Sequence, residues 1–251
     1  MRSMLTSTIL FVTTASLTAA CTSPEDRHDD LAGEADASET NDAKADAAGT
    51  TGYYSLEVVQ AHGATGNVNH FLARRANAAM TTCAPGVKAA ECELDTLDLS
   101  NIVFPSTEER SLRLFLNGQA ETGVVALMVR GRIADGAFKA TEVWRQDADL
   151  AGAPDHGLEG VAVRLEDSGL RCVSAPCPNT REAKLNSTKT QTIHGVTSED
   201  DVLDEKVLSE VFGGGRVIVI GALRERSVQL THGTQTARIR SAGAVFFRVG
   251  S

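Results

Sequence analysis

Apolar and polar residues alternate along most of the chain after residue 52, and this pattern predicts short β-strands. In YYSLEVV, Tyr54, Leu56 and Val58 fall on one face at a period of two, as in a half-buried strand. Comparable patterns predict further strands in HFLARRA, ELDTLDLSNI, GVVALMVRGRI, FKATEVWRQ, GVAVRLE, REAKLN, QTIHGV, RVIVIGALRE and AGAVFFRVG. The domain is therefore predicted to consist mainly of strands.

Two segments have the spacing of amphipathic helices instead. In STEERSLRLFLNG the apolar residues are spaced i, i+3, i+4, and Ser106 lies three residues before Glu109, as in a capping box. In SEDDVLDEKVLSEVFGGG one face is apolar, formed by Leu203, Val207, Leu208 and Val211. Each helical segment follows three strand patterns and precedes two more.

This repeated order predicts an α+β fold, mainly β, with two similar halves, each a small antiparallel sheet with one short helix. The halves are residues 53–149 and 158–251, joined by DLAGAPDHG. Asn77 and Asn186 close the second strand of each half, in ARRAN and EAKLN. The alternative is a single mixed β-rich domain with two helices and no repeat.

The N-terminal segment has the features of an export signal. Residues 1–20 combine Arg2, an uncharged apolar run and small residues before Cys21, as in a secretory signal peptide. The run is shorter than the about 20 apolar residues that a membrane-spanning helix needs. LTAAC resembles a bacterial lipobox, which implies that Cys21 is lipidated and anchors the protein to the cell envelope. Thr22 in place of Asp favours the outer membrane, and the alternative is simple secretion with a free Cys21 thiol.

Residues 22–52 differ in composition from the rest of the exported chain. The segment contains nine Asp or Glu residues but only two Lys or Arg residues, Arg27 and Lys44, and it has no aromatic residue. It therefore cannot bury enough apolar surface to become ordered. Residues 21–52 are thus predicted to be a lipidated cysteine followed by an acidic, disordered tether. The whole chain has a net charge of −9, but residues 53–251 hold 24 acidic and 21 basic residues. A nucleic-acid partner is not expected, because such binding needs a basic surface.

Four cysteines lie in the predicted folded part: Cys83, Cys92, Cys172 and Cys177. In an exported domain they favour two disulfides over free thiols. They allow three pairings, and the sequence-local one is the simplest because each pair then spans a turn-rich loop. Zinc is the alternative, although structural zinc sites favour close C-x₂-C pairs, which these spacings do not form. LRCVSAPCPN is therefore predicted to be a stapled surface loop, stiffened by Pro176 and Pro178.

The motifs around these cysteines resemble a family of uncharacterised domains in secreted and lipid-anchored bacterial proteins. The shared features are GLRCVSAPCPNTREAKLN, and TTCAPGVKAAEC leading to the strand LDLS. Family members often carry a second cysteine pair in the first-half loop, where this chain has AHGATGNVN. The resemblance implies an exported location and paired-cysteine loops, and it implies no activity.

Patterns of known catalytic and cofactor sites are missing from the sequence. It contains no G-x-S-x-G and no H-E-x-x-H. The glycines of FGGGRVIVIG follow a helix and precede a strand, which is the reverse of a nucleotide-binding loop. No cofactor or metal is therefore expected. One cluster has residues suited to acid–base or metal chemistry, namely Asp155, His156 and Glu159 in the connector.

Two classes of function fit this sequence. The lack of a catalytic motif favours a non-catalytic binding module on a cell-surface lipoprotein, whose partner is an envelope or extracellular protein. One version is a protease inhibitor that presents the Cys172–Cys177 loop, with Arg171 entering a trypsin-like pocket. The other class is an envelope enzyme whose site lies around Asp155 and His156.

Overall fold

The computed structural model describes residues 50–63, 66–116, 126–147, 160–197, 205–214, 217–230 and 233–250. The strands in these ranges are β1 (Gly52–Gly63), β2 (Gly66–Arg75), β3 (Thr81–Ala84), β4 (Val87–Ala89), β5 (Cys92–Leu94), β6 (Thr96–Asp98), β7 (Leu127–Ala134), β8 (Ala137–Gln146), β9 (Val161–Asp167), β10 (Thr180–Lys184), β11 (Thr190–Ile193), β12 (Gly195–Thr197), β13 (Val217–Leu230) and β14 (Gly233–Val249). The helices are α1 (Ser106–Leu116) and α2 (Glu205–Gly214). Within the described ranges, no helix has the length and apolarity needed to cross a membrane.

Twelve of these strands form one sheet, and ten of them follow the order β11-β10-β9-β13-β14-β8-β7-β1-β2-β5. The neighbours along this path are antiparallel, whereas β6 joins β8 and β12 joins β14 as short parallel pairs. Strands β3 and β4 form a separate two-stranded hairpin. The prediction of a β-rich domain is thus confirmed.

The predicted division into two similar halves, each with its own small sheet and one helix, is wrong. Strand β14 pairs with β8 from Phe246 opposite Gln146 to Val249 opposite Val143, so one sheet continues through the chain. The N–H of Asp147 extends this ladder by donating to the carbonyl of Val245 at 2.9 Å. Alternating residues identify many of the strands, but they do not determine which strand will be the hydrogen-bonding partner of each. The connector DLAGAPDHG lies entirely outside the described residues.

Besides the β8–β14 pairing, two asparagines also connect the first part of the chain to the second. We call this pair, Asn77 and Asn186, the asparagine clasp. Asn186 accepts from the N–H of Tyr53 at 2.8 Å and donates to the carbonyls of Tyr53 and Ala76, both at 2.9 Å. Both asparagines have positive φ, 59° for Asn77 and 57° for Asn186, a conformation that Asn tolerates better than most residues. The side-chain amide of Asn186 bonds to the end of the β1–β2 pair as a peptide group would, and that of Asn77 bonds to the end of the β9–β10 pair in the same way.

Asn77 makes the reciprocal contacts. Its Oδ1 accepts from the N–H of Ala162 at 2.8 Å, and its Nδ2 donates to the carbonyls of Ala162 and Leu185 at 2.7 and 3.0 Å. The N–H of Leu185 also donates to the carbonyl of Ala162 at 3.0 Å. The clasp therefore adds side-chain hydrogen bonds to the backbone where the β1–β2 and β9–β10 pairs end.

The two faces of the central strands pack into different apolar clusters. On β7, Leu127 and Val129 pack with Leu56 in one cluster, while Met128 faces Trp144 and Phe246 in another. A third cluster lies between β9, β13 and α2. The helices complete these clusters as their spacing predicts, since Leu112 of α1 and Val207 and Val211 of α2 are buried.

The predicted capping box at the start of α1 is wrong. The N–H of Glu109 donates to the carbonyl of Pro105 at 2.9 Å, so Pro105 rather than Ser106 accepts the first helical hydrogen bond. The Glu109 carboxylate instead accepts from Arg113 at 2.8 and 3.0 Å, an i, i+4 pair on the exposed face.

Candidate functional site

The Cys172–Cys177 segment forms a projecting loop between β9 and β10, which we call the stapled loop (residues 168–178). The disulfide joins Cα atoms 5.6 Å apart across five positions of sequence, so the prediction of a disulfide here is confirmed. The loop begins and ends at paired strands, because Asp167 of β9 lies opposite Thr180 of β10. Its peptide bond from Ala175 to Pro176 is cis.

Hydrogen bonds hold the base of the stapled loop from both sides. The N–H of Ser168 donates to the carbonyl of Asn179 at 2.9 Å, and the hydroxyl of Ser168 donates to the carbonyl of Pro178 at 3.0 Å. The same hydroxyl oxygen accepts from the N–H of Leu170 at 3.2 Å. Pro176 and Pro178 are half-buried against this framework. The loop is therefore a fixed structure with a small number of accessible conformations.

Arg171, the predicted basic contact residue, is engaged within the protein. Its guanidinium donates to both carboxylate oxygens of Asp167, at 2.9 and 2.7 Å, and lies 5.5 Å from the ring centroid of Phe212 on α2. Hydrogen bonding from Arg171, helped by the N–H of Gly169, lowers the pKa of Asp167 to about 2. The pair is thus charged at neutral pH, and Arg171 would have to leave it before entering a pocket on a partner.

Apolar side chains accompany the stapled loop at the surface. Val173 is fully exposed, at 109% of its reference area, and Leu170 and Phe212 are exposed in part. Ser174 and Ala175, which follow Val173, are also exposed. Leu170 and Val173 lie on the loop and Phe212 on α2, so this part of the surface exposes more than a single scattered apolar residue.

The second disulfide, Cys83–Cys92, staples the β3–β4 hairpin to β5. Its Cα atoms are 5.4 Å apart, and Cys92 is buried in the cluster around Leu56. The buried Thr81 accepts from the N–H of Arg75 at 2.8 Å and donates to the carbonyl of Ala90 at 3.3 Å. Val87 at the tip of this hairpin is exposed.

A buried ion pair joins Glu182 of β10 to Arg240 of β14. Arg240 donates to both oxygens of Glu182 at 2.6 and 2.7 Å, and to the carbonyl of Gly221 at 3.0 Å. Gln191 donates to the same carboxylate at 2.8 Å. The two charged side chains are 0% and 1% exposed, so the pair positions β10 and β14 and offers no access to a ligand.

His194 lies between β11 and β12, and its side chain adds to the hydrogen bonding between this segment and β14. Its backbone N–H donates to the carbonyl of Arg238 at 2.8 Å, and its Nδ1 accepts from the N–H of Arg238 at 3.0 Å. Burial lowers the pKa of His194, and the hydrogen bond with the Arg238 backbone offsets this shift only in part. The neutral imidazole is therefore the form that the fold uses.

Mild acid is expected to destabilise the wild-type protein through His194. Since its folded pKa lies below the unfolded value of about 6.5, the unfolded chain binds the proton more readily. The stabilisation is complete above about pH 6.5 and is lost as the pH falls through the folded pKa. Thermal unfolding at pH 7.5 and 5.5 should show a larger fall in Tm for the wild type than for His194→Gln. Equal falls in the two proteins would contradict this role.

The residues of the predicted acid–base cluster and lipid anchor lie outside the described residues, namely Asp155, His156, Glu159 and Cys21. Within the described ranges, no group of three or more His, Cys, Asp or Glu side chains could hold a metal ion. His70 has two carboxylates nearby, with its Nδ1 3.6 Å from Oε1 of Glu93 and 3.4 Å from Oδ1 of Asp95.

Fold and disulfides together define a β-sheet domain of an oxidising, non-cytoplasmic compartment. The chain belongs to the family described as Domain of unknown function (DUF6748), whose model matches residues 67–237. No match was found among the curated proteins or among the solved structures. The matched region begins within β2 and ends within β14, so it leaves out β1 and the part of β14 that pairs with β8.

Proposed function

We propose that the protein is an exported, lipid-anchored, non-catalytic binding module, and that the stapled loop is its contact surface for a partner protein. The observation that supports this most strongly is the full exposure of Val173 on a loop fixed by a disulfide and by hydrogen bonds at its base. A loop that is already ordered loses little entropy on binding, so a small surface can bind specifically.

The anchor is proposed from the N-terminal sequence. An acylated Cys21 at the outer membrane, followed by the acidic segment, would place the binding module outside the lipid surface. Such a module would meet envelope or extracellular proteins. Cys21→Ala is expected to move the protein from the membrane fraction to the aqueous fraction, and a variant that stays membrane-bound would contradict the anchor.

Capture from envelope extracts tests the contact surface. The wild type and Val87→Asp are expected to retain the same partner, whereas Val173→Asp should retain at least about tenfold less, since a buried unpaired charge costs more than 1.4 kcal/mol. Both substitutions place one carboxylate on an exposed valine, so they are matched in the charge that they introduce. Equal capture by the three proteins would show that the stapled loop is not the contact surface.

A further inference from the structure

We propose that the partner is a serine protease with a small apolar specificity pocket, and that Val173 is the side chain that enters it. This inference rests on the proposed function and names the class of partner. At the tip of the loop the aliphatic side chain of Val173 projects, and the next two residues, Ser174 and Ala175, are small and exposed. A single short projection is suited to a narrow pocket, whereas a flat partner surface would need a wider apolar patch.

The chemistry of Val173 selects among protease pockets. Proteases of the trypsin type bind a basic side chain, while those of the elastase type have a small apolar pocket. The only basic side chain of the stapled loop is Arg171, and it is bound to Asp167 and stacked on Phe212. Val173 makes no competing interaction of that kind, and its β-branched side chain has little rotamer freedom to lose on binding.

The disulfide explains how such a loop would inhibit a protease instead of being consumed as a substrate. The peptide bond from Val173 to Ser174 lies inside the ring closed by Cys172 and Cys177. Hydrolysis would add one water across this bond, leaving a carboxyl group on Val173 and an amino group on Ser174. Both new ends would remain joined through the disulfide and held by the Ser168 hydrogen bonds. Their high effective concentration favours re-formation of the bond, with release of the water, over departure of the product.

Inhibition assays with purified elastase and trypsin test this proposal on the full chain. The wild type is expected to inhibit elastase and to leave trypsin active. Val173→Ala should weaken elastase inhibition by at least about tenfold, because aliphatic groups in such pockets contribute that much discrimination. Val173→Arg should lose elastase inhibition and gain trypsin inhibition, while Val87→Ala should match the wild type.

Three results would overturn the proposal: no inhibition of elastase, equal inhibition by the wild type and Val173→Ala, or rapid cleavage of the loop without inhibition. The proposed function can be judged separately by capture from envelope extracts. A partner that is retained through Val173 but is not a protease would overturn this inference and leave the binding module intact. Failure in both experiments would overturn both proposals.

Discussion

Arg240→Met is expected to lower the free energy of unfolding by about 3–5 kcal/mol, because it leaves the Glu182 carboxylate buried without its cation. Gln191 would remain as a donor, but a neutral amide does not balance a buried charge. Glu182→Leu should cost a similar amount, since it leaves the guanidinium buried and unpaired. At this chain length each variant should lower Tm by roughly 6–20 °C in thermal unfolding followed by circular dichroism.

The double variant Glu182→Leu/Arg240→Met separates the cost of an unpaired charge from a need for the ion pair itself. Well-packed apolar residues often replace a buried ion pair without loss, so the double variant should recover most of the stability that each single variant loses. Arg113→Met is the surface control, because its pair with Glu109 is exposed and should contribute less than about 1 kcal/mol. Single variants that cost no more than this control would contradict the description of the pair as buried.

Asn186→Gly is expected to lower the free energy of unfolding by about 2–3 kcal/mol by removing one side of the asparagine clasp. Glycine accepts the positive φ of this position, so the loss reports on the three side-chain hydrogen bonds and not on backbone strain. Asn77→Gly should behave similarly. Asn101→Gly, at an exposed turn, is the control and should leave Tm nearly unchanged.

The two clasp residues join the same parts of the chain, so the losses in free energy of unfolding of the two single variants should not add. Once one side is open, removing the other should cost less than it does in the wild type, and the double variant should fall short of the sum. Hydrogen exchange gives a local readout, because the N–H of Tyr53 should lose protection in Asn186→Gly and that of Ala162 in Asn77→Gly. Protection of both amides in both variants would contradict the clasp.

Alternation in the sequence predicted where many of the strands lie, because burial of one face constrains every second residue. It did not predict the β8–β14 pairing, since partner choice depends on contacts distant in sequence. The β3–β4 hairpin was missed because its strands are short and half-exposed. The N-terminal part of β14, GTQTARIRS, was missed because it has few apolar residues and two of its buried positions hold Arg240 and Ser241.

Some features of the interior had a signal that was not used. Glu182 lies in the predicted strand REAKLN, and a charge at an inward position implies a partner of opposite sign, but Arg240 lies in the part of β14 that alternation did not predict. The asparagines at the ends of β2 and β10 were noticed, but their positive φ and reciprocal contacts depend on tertiary packing. At the stapled loop, the cysteine spacing indicated the disulfide, whereas the exposure of Val173 and the engagement of Arg171 required coordinates.

Site-specific photo-crosslinking in the cells that produce the protein tests most directly whether the stapled loop is the binding surface. A photoreactive amino acid at position 173 should give one discrete adduct with a partner protein, and the same group at position 87 should not give it. The adduct should weaken when Cys172 and Cys177 are both replaced by Ser. The domain should remain folded in that variant, because a ring this short is expected to contribute only about 2 kcal/mol. A lack of any adduct at position 173, or the same adducts from positions 173 and 87, would contradict the proposed binding surface.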